Sequence, residues 1–297
     1  MPHFEFFNEN IIDIDKIKEG FNQNLGEACS AWLLKKISNI KPTEKSDDVD
    51  SRVFTGMHDF FYKQYKKNYY LPTIGWKKGH PLYKLYIPLR LVEPDNSNIE
   101  IRIDENIYNF FTENRKILIT DSAGMGKSTI SRYISLKLFE QGDLTPIFIE
   151  LRHITKDKDL TDYIYNLVHP IDFPSNDKTF KKNELLALIK KGGFAFFFDG
   201  YDEITNDAKD KLIPQIKDFI AQYSANNFIL TSRPEQALGS FPELEVYKIN
   251  PLEKEESFQL IGKYDDNGER SKRLIEKLKA EHENEINDFL KSPLLVT

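Results

Sequence analysis

The stretch that most constrains this chain is KILITDSAGMGKSTI, from Lys116 to Ile130. Ile117-Leu118-Ile119 is a short apolar strand. It feeds a loop of small residues that contains Gly124 and Gly126 and ends in Lys127-Ser128-Thr129, and a helix-forming run follows at once. A strand, a glycine-bearing loop and a helix in this order form a phosphate-binding turn. The glycines let the backbone curl until its N–H groups point inward, and the helix presents its positive end to the same place. Ser122, Ala123, Gly124, Met125, Gly126, Lys127, Ser128 and Thr129 are the expected cradle. Lys127 would reach the outer phosphates, and the Ser128 hydroxyl would ligate Mg²⁺. One position departs from G-x-x-x-x-G-K-[ST], because Asp121 stands where the first glycine belongs. Its carboxylate must therefore point away from the phosphates, or the loop turns differently. An ordinary Gly-rich strand-to-helix turn would have no second matching site downstream, and this chain has one.

That second site is FAFFFDGYDEI, Phe194 to Ile204. Five consecutive apolar residues read as a buried strand that ends in Asp199, with Asp202 and Glu203 in the turn after it. Acid at the exit of a buried strand is costly unless it meets a cation or donors. Asp199 is the expected Mg²⁺ ligand beside Ser128, and Asp202 and Glu203 are candidates for orienting and polarising an attacking water. A helix N-cap cluster before a helix starting near Asp207 is the plain alternative. The third site is NFILTSRPE, Asn227 to Glu235, a buried strand that ends at Thr231, Ser232 and Arg233. A cation at the carboxyl end of a central strand sits where ligands sit in open α/β sheets. Arg233 would sense the γ-phosphate, unless it is a surface arginine paired with Glu235.

The rest of the chain is read around these anchors. Ile11 to Ile40 shows helical spacing, Lys41 to Ser51 reads as an exposed linker, and Phe54, Met57, Phe61 and Tyr65 mark one face of another helix. Lys66, Lys67, Tyr69, Tyr70, Trp76, Lys77 and Lys78 interleave cations and rings. The pattern would suit single-stranded nucleic acid, but rings packed on the next domain are the favoured reading. Alternating Leu85, Ile87, Leu89 and Leu91 predict a strand, at a sheet edge because of Pro88, paired across EPDNSN with IEIRI at 99–103. Asp104 would cap a short helix to Phe111. After the phosphate loop the pattern predicts a helix to about Phe139, a strand over Thr145 to Leu151, helices over Asp159 to Val168 and Asn183 to Lys191, a strand over Glu245 to Ile249, and helices from Pro251 onward.

Bulk properties narrow the class. Charge is 41 basic against 47 acidic, a net of -6, which argues against a surface that binds nucleic acid non-specifically. Cys29 is the single cysteine, so no intrachain disulfide forms. No apolar run is long enough to span a bilayer, and the N-terminus lacks a signal-peptide pattern. A cytoplasmic protein is expected. His3, His58 and His80 are too scattered to form a metal site ahead of Lys116.

Together DSAGMGKST, FIELRHI with Arg152, FFFDGYDEI, LTSRPE, NPLEKEES and SPLLVT resemble the NACHT module of the STAND class of NTPases over about Ile117 to Thr297. The DG-x-DE form at Asp199 to Glu203 is the most telling part, and Asp121 is the departure. The resemblance implies a three-layer α/β/α P-loop fold with a parallel sheet of order 5-1-4-3-2. Its domains would be 1–114, mainly helical with a β-hairpin, 115–250 for nucleotide binding, and 251–297 as a helical lid. Pro293 matches the family proline that packs near adenine. The apolar, uncapped end at SPLLVT leads to the expectation of a longer polypeptide, with winged-helix and ligand-sensing repeat domains that recognise an unknown ligand. The implied function is an ATP/ADP switch that hydrolyses Mg-ATP slowly and self-associates when activated, in bacterial defence against phage. The alternatives are a motor ATPase that remodels a partner and a nucleotide-dependent scaffold without hydrolysis.

Overall fold

A computed structural model describes residues 53–293, apart from the internal segments 54–55, 72–79, 105–106, 108–110, 112–115, 142–143, 170–179, 242, 266–267 and 281–289. The expected helix at 11–40, the linker at 41–51, the patch residues Trp76, Lys77 and Lys78 and the tail after Pro293 lie outside the described residues, as does most of the short helix after Asp104.

The phosphate-loop strand is central. β5 (Lys116–Thr120) runs parallel to β8 (Asn227–Ser232) on one side and β9 (Glu245–Asn250) on the other. β8 is followed outward by β7 (Phe194–Asp199) and then β6 (Thr145–Glu150), all parallel. Numbered from the phosphate-loop strand, the order is the expected 5-1-4-3-2. The carboxyl ends of all five strands share one edge, which is where Thr120, Glu150, Asp199 and Ser232 fall. Buried parallel strands read as continuous apolar runs because both faces are covered. β7 shows this directly. Phe196 and Phe198 pack with Phe219 and Phe228 on one face, while Phe197 stacks on Phe111 and Phe148 on the other. Each such ring is worth roughly 1.5–3 kcal/mol of transfer free energy.

The helices fall close to the expected spans. α3 (Lys127–Gln141) follows the loop, with Ile130, Tyr133, Ile134 and Leu138 buried. α4 (Leu160–Val168), α5 (Lys182–Lys191), α6 (Asn206–Gln222), α7 (Lys254–Lys263) and α8 (Glu269–Ala280) complete the later part of the chain.

The earlier part closes both borders of the sheet. α1 (His58–Tyr69) lies against α3, with Met57, Phe61 and Tyr65 buried on one face as the spacing predicts. It also covers border strand β6. The Phe148 N–H donates to Gln64 Oε1 at 3.0 Å, and Pro146 has no N–H to offer. A border strand left bare would invite pairing with another chain. Lys67 reaches Glu150, and Tyr69 packs edge-on to Tyr70 and Tyr83, so the described part of the basic-aromatic stretch is spent on packing.

Past α1, β1 (Tyr70–Leu71) pairs with β2 (His80–Pro81), and α2 (Leu82–Leu85) follows. At the opposite border, β3 (Arg90–Glu93) and β4 (Asn96–Arg102) form the expected hairpin, and β3 pairs antiparallel with β9. Among the described residues the sheet therefore has seven strands, and β3 is interior to it rather than at its edge. The strand predicted from Leu85 is corrected as well, because strand begins only at Arg90. Leu85, Tyr86, Ile87 and Leu89 are all buried, so the run does not alternate, and Pro88 cannot donate to a ladder.

Candidate functional site

The carboxyl ends of β5, β7 and β8, the turn after β7 and the start of α3 surround a cavity of about 460 Å³. Gly124, Gly126, Lys127, Ser128, Thr129, Asp202, Glu203, Thr231 and Arg233 line its polar end. The expected residues from three separate strand ends do converge. Ser122 and Met125 face a second, more open hollow on the other side of the loop, while Ala123 borders both.

The loop is held by the residue that breaks its motif. Asp121 Oδ1 accepts from the Ser122 N–H at 2.7 Å, and its Oδ2 accepts from the Ile249 N–H of β9 at 3.1 Å. The carboxylate is thus aimed at the neighbouring strand and away from the cavity, where it ties the loop to the sheet. Gly126 has φ +94, and an added Cβ would lie 2.7 Å from Leu89 Cδ1. Only glycine suits that backbone and that approach. Lys127 Nζ donates to the carbonyls of Asp121 and Ser122 at 2.6 and 2.7 Å. Its pKa is lowered, first by burial and also by Arg233, against the pull of Asp202, Asp121 and Asp199.

Ser128 Oγ donates to Asp199 Oδ1 at 3.1 Å, and Thr231 Oγ1 donates to the same oxygen at 2.7 Å. Thr231 Oγ1 in turn accepts the Gly200 N–H at 2.9 Å. Burial pushes the Asp199 carboxyl above its ordinary value despite these donors and Arg132. A dication beside it would relieve that cost, and a serine hydroxyl with one carboxylate is the oxygen donor set Mg²⁺ takes when phosphates and waters supply the rest. Among the described residues no group of three or more His, Cys, Asp or Glu side chains forms a self-sufficient metal cage.

Gly200 explains the DG-x-DE spacing. Its φ of +78 is left-handed, and an added Cβ would lie 3.1 Å from the Glu203 carboxyl carbon. The chain turns there into a single 3-10 turn, Tyr201–Glu203, which brings both acids back over the strand ends. Asp202 takes the Arg233 N–H on Oδ1 and Arg233 Nε on Oδ2, both at 3.0 Å. Glu235 is held instead by Lys209 at 3.0 Å, so the surface pairing considered for Arg233 does not form. Glu203 pairs with Arg152 at 3.3 Å.

The other end of the cavity is apolar. Leu85, Tyr86, Ile87 and Leu89 come from before the phosphate loop, and Leu252, Leu260, Tyr264 and Pro293 from after β9. Pro293 Cγ lies 4.0 Å from where a Cβ on Gly126 would stand, and Ser292 Oγ reaches the Gly124 carbonyl at 3.4 Å. Sequence reasoning missed the residues at 85–89, and a proline inside an apolar alternation was the available signal. It also passed over Thr231 and Arg132, both of which line the cavity.

An α/β/α layering, a 5-1-4-3-2 parallel core and a glycine loop paired with a strand-end aspartate define a P-loop NTPase. The model of the NACHT domain matches residues 115–267, and the chain belongs to that family. It is therefore a nucleoside-triphosphatase module of the STAND type. No curated protein matches the chain.

Proposed function

We propose that this chain is an ATP/ADP switch in which Mg-ATP binding, slow hydrolysis and exchange select between two states. The observation that carries the reading is the make-up of the cavity wall. Its phosphate end belongs to the α/β core, and its apolar end is shared by the lid after β9 and the segment at 85–89. A nucleotide bound there would touch all three parts, so its γ-phosphate can bias how they sit together. A ligand shifts an equilibrium only by its differential contacts with the two states.

The geometry supports the following roles. The backbone from Ser122 to Thr129 would cradle phosphates, and Lys127 would exchange its two loop carbonyls for phosphate oxygens. Ser128 and Asp199 would hold Mg²⁺, which when bound supplies charge neutralisation on the phosphates. Glu203 would accept the proton of the attacking water. Asp202 would hold Arg233 until a γ-phosphate competes for the guanidinium. The base would rest among Ile87, Leu89 and Pro293. Self-association on activation and a part in defence against phage are inferred from the family, and a cytoplasmic setting from the sequence.

The test is the nucleotide that co-purifies with the chain, identified by mass. Retained ADP is expected, with retained ATP in Glu203→Gln. Steady turnover of about one per second or faster would favour a motor instead. A Glu203→Gln chain that behaves like wild type would favour a scaffold.

A further inference from the structure

We propose that Arg152 is a positioning residue for Glu203, and that Lys67 of α1 sets its place through Glu150, so that the region ahead of the nucleotide fold tunes hydrolysis. The inference rests on the reading of Glu203 as the residue that acts on the attacking water.

The contacts run in one line from α1 to the cavity. Lys67 Nζ pairs with Glu150 Oε2, and Glu150 Oε1 pairs with Arg152 Nη2 at 3.0 Å. Arg152 Nη1 then pairs with Glu203 Oε2 at 3.3 Å. His153 Nδ1 stands 3.4 Å from Glu150 Oε2. Glu150 ends β6 directly beside Asp199, which ends β7, so the line passes next to the candidate metal ligand.

Exposure separates this arrangement from an ordinary surface network. The Glu150 side chain is 8% exposed, while Lys67, Arg152 and Glu203 are at 57%, 51% and 46%. A buried carboxylate must be neutralised, and one cation would suffice. Here two cations take one oxygen each. The planar guanidinium spans the gap, with one nitrogen on Glu150 and one on Glu203, a geometry that lysine cannot reproduce. Among the described residues Arg152 is the only ion-pair partner of Glu203. Pairs this exposed add little stability. What they fix is direction: the Glu203 carboxylate points where Arg152 puts it, and Arg152 is seated by Glu150.

α1 is able to act on this line because it is anchored to the same elements. Gln64 takes the Phe148 N–H of β6, and Asn68 Nδ2 donates to Ser135 Oγ of α3 at 3.1 Å. Tyr65 and Phe61 meet Phe139 edge-on. A shift of α1 along α3 therefore moves the cation on Glu150. The chain continues from α1 through β1 and β2 into the wall at 85–89, so one region lines the apolar end of the cavity and reaches Glu203 at the polar end through Glu150 and Arg152.

The experiment uses the whole chain with Mg-ATP, and measures phosphate release in a single turnover beside equilibrium ATP affinity. Arg152→Gln is expected to slow release about tenfold or more with affinity held within about twofold, because misplacement of a reacting group costs rate rather than binding. Lys67→Ala is expected to slow it by a smaller factor, about threefold, and Lys67→Arg to restore it. Lys67 lies on the surface, so its loss tests the line even if Arg152→Gln folds poorly. An Arg152→Gln chain with the wild-type rate, or one in which rate and affinity fall together, would overturn the proposal, and a Lys67→Ala chain with the wild-type rate or a faster one would remove its link to α1. Glu203→Gln tells the two failures apart. If it hydrolyses ATP like wild type, the role of Glu203 falls and this inference with it. If it stops hydrolysis while Lys67→Ala changes nothing, only the link to α1 falls.

Discussion

The polar and apolar ends of the cavity differ in how far along the chain their residues are gathered. The polar end is drawn from short runs, each delivered by its own strand: residues within 123–129 after β5, within 200–203 after β7, and Thr231 and Arg233 at the end of β8. The apolar end joins residues 85–89 to 252–264 and to 293. Backbone geometry and parallel pairing hold the first. Side-chain clamps hold the second: Arg90 reaches Glu253 at 2.6 Å and Glu256 at 2.7 Å, and Lys263 of α7 donates to the Tyr86 carbonyl at 2.7 Å. A ladder of backbone bonds opens only with the sheet, whereas three or four side-chain bonds open locally. The polar end is therefore the fixed half of the site, and the apolar end is the half suited to move.

The largest expected effect lies at the fixed end. Lys127→Ala removes the one ammonium that faces the loop carbonyls, and nucleotide affinity should fall by about a hundredfold or more, equivalent to ~3 kcal/mol. Calorimetry or co-purifying nucleotide would show it, with thermal stability near wild type because no core contact is lost. Nucleotide retained at wild-type level in this variant would remove the polar end as the phosphate site.

The same contrast decided what was legible in the sequence. The strands, the loop and Asp199 were readable because each rests on a local pattern: an apolar run, a glycine turn, an acid at a strand end; the order of the strands came from the resemblance alone. Asp121 was read as a misfit that either points away from the phosphates or makes the loop turn differently; it points to β9, and its partner, the Ile249 N–H, lies 128 residues on and left no local trace. The wall at 85–89 was read as a strand because apolar alternation looks alike whether residues face a sheet or a cavity. Arg152 was noticed only within a motif. Its pairing with Glu203 depends on β6 and β7 being neighbours, a fact of topology rather than spacing.

A middle-sized effect is expected at the movable end. Arg90→Ala frees Glu253 and Glu256 at the start of α7 from β3, and bound nucleotide should leave several-fold faster, by about fivefold, with little change in association. Stopped-flow release of a fluorescent ADP analogue is the measurement. Unchanged release would mean that the clamp does not hold the lid, and the contrast between the ends would have to rest on Lys263 and Tyr86 alone. Leu89→Ala should act in the same direction by widening the wall beside Gly126, and its effect should grow with the size of the base analogue used.

The smallest effect concerns pH and border strand β6, where Lys67 of α1 meets Glu150. Burial pushes the Glu150 carboxyl up, but the Lys67 hydrogen bond and the charges of Lys67, Arg152 and His153 outweigh it, and its pKa is lowered from the ordinary 4.5. A carboxylate lowered on folding contributes stability that is fully present above its unfolded value and is lost as pH falls through the folded one. Lys67→Ala should therefore be less stable than wild type at neutral pH by on the order of 1 kcal/mol or less, given the exposure of the lysine. The gap should narrow as pH falls below 4.5 and close once it has passed through the lowered folded value, where Glu150 is protonated in both chains. Denaturant midpoints at neutral pH and at several acidic values would trace it. A gap of constant size would mean that Lys67 supports α1 by packing its stem rather than by its charge, and the line from α1 to Arg152 would lose its electrostatic first step.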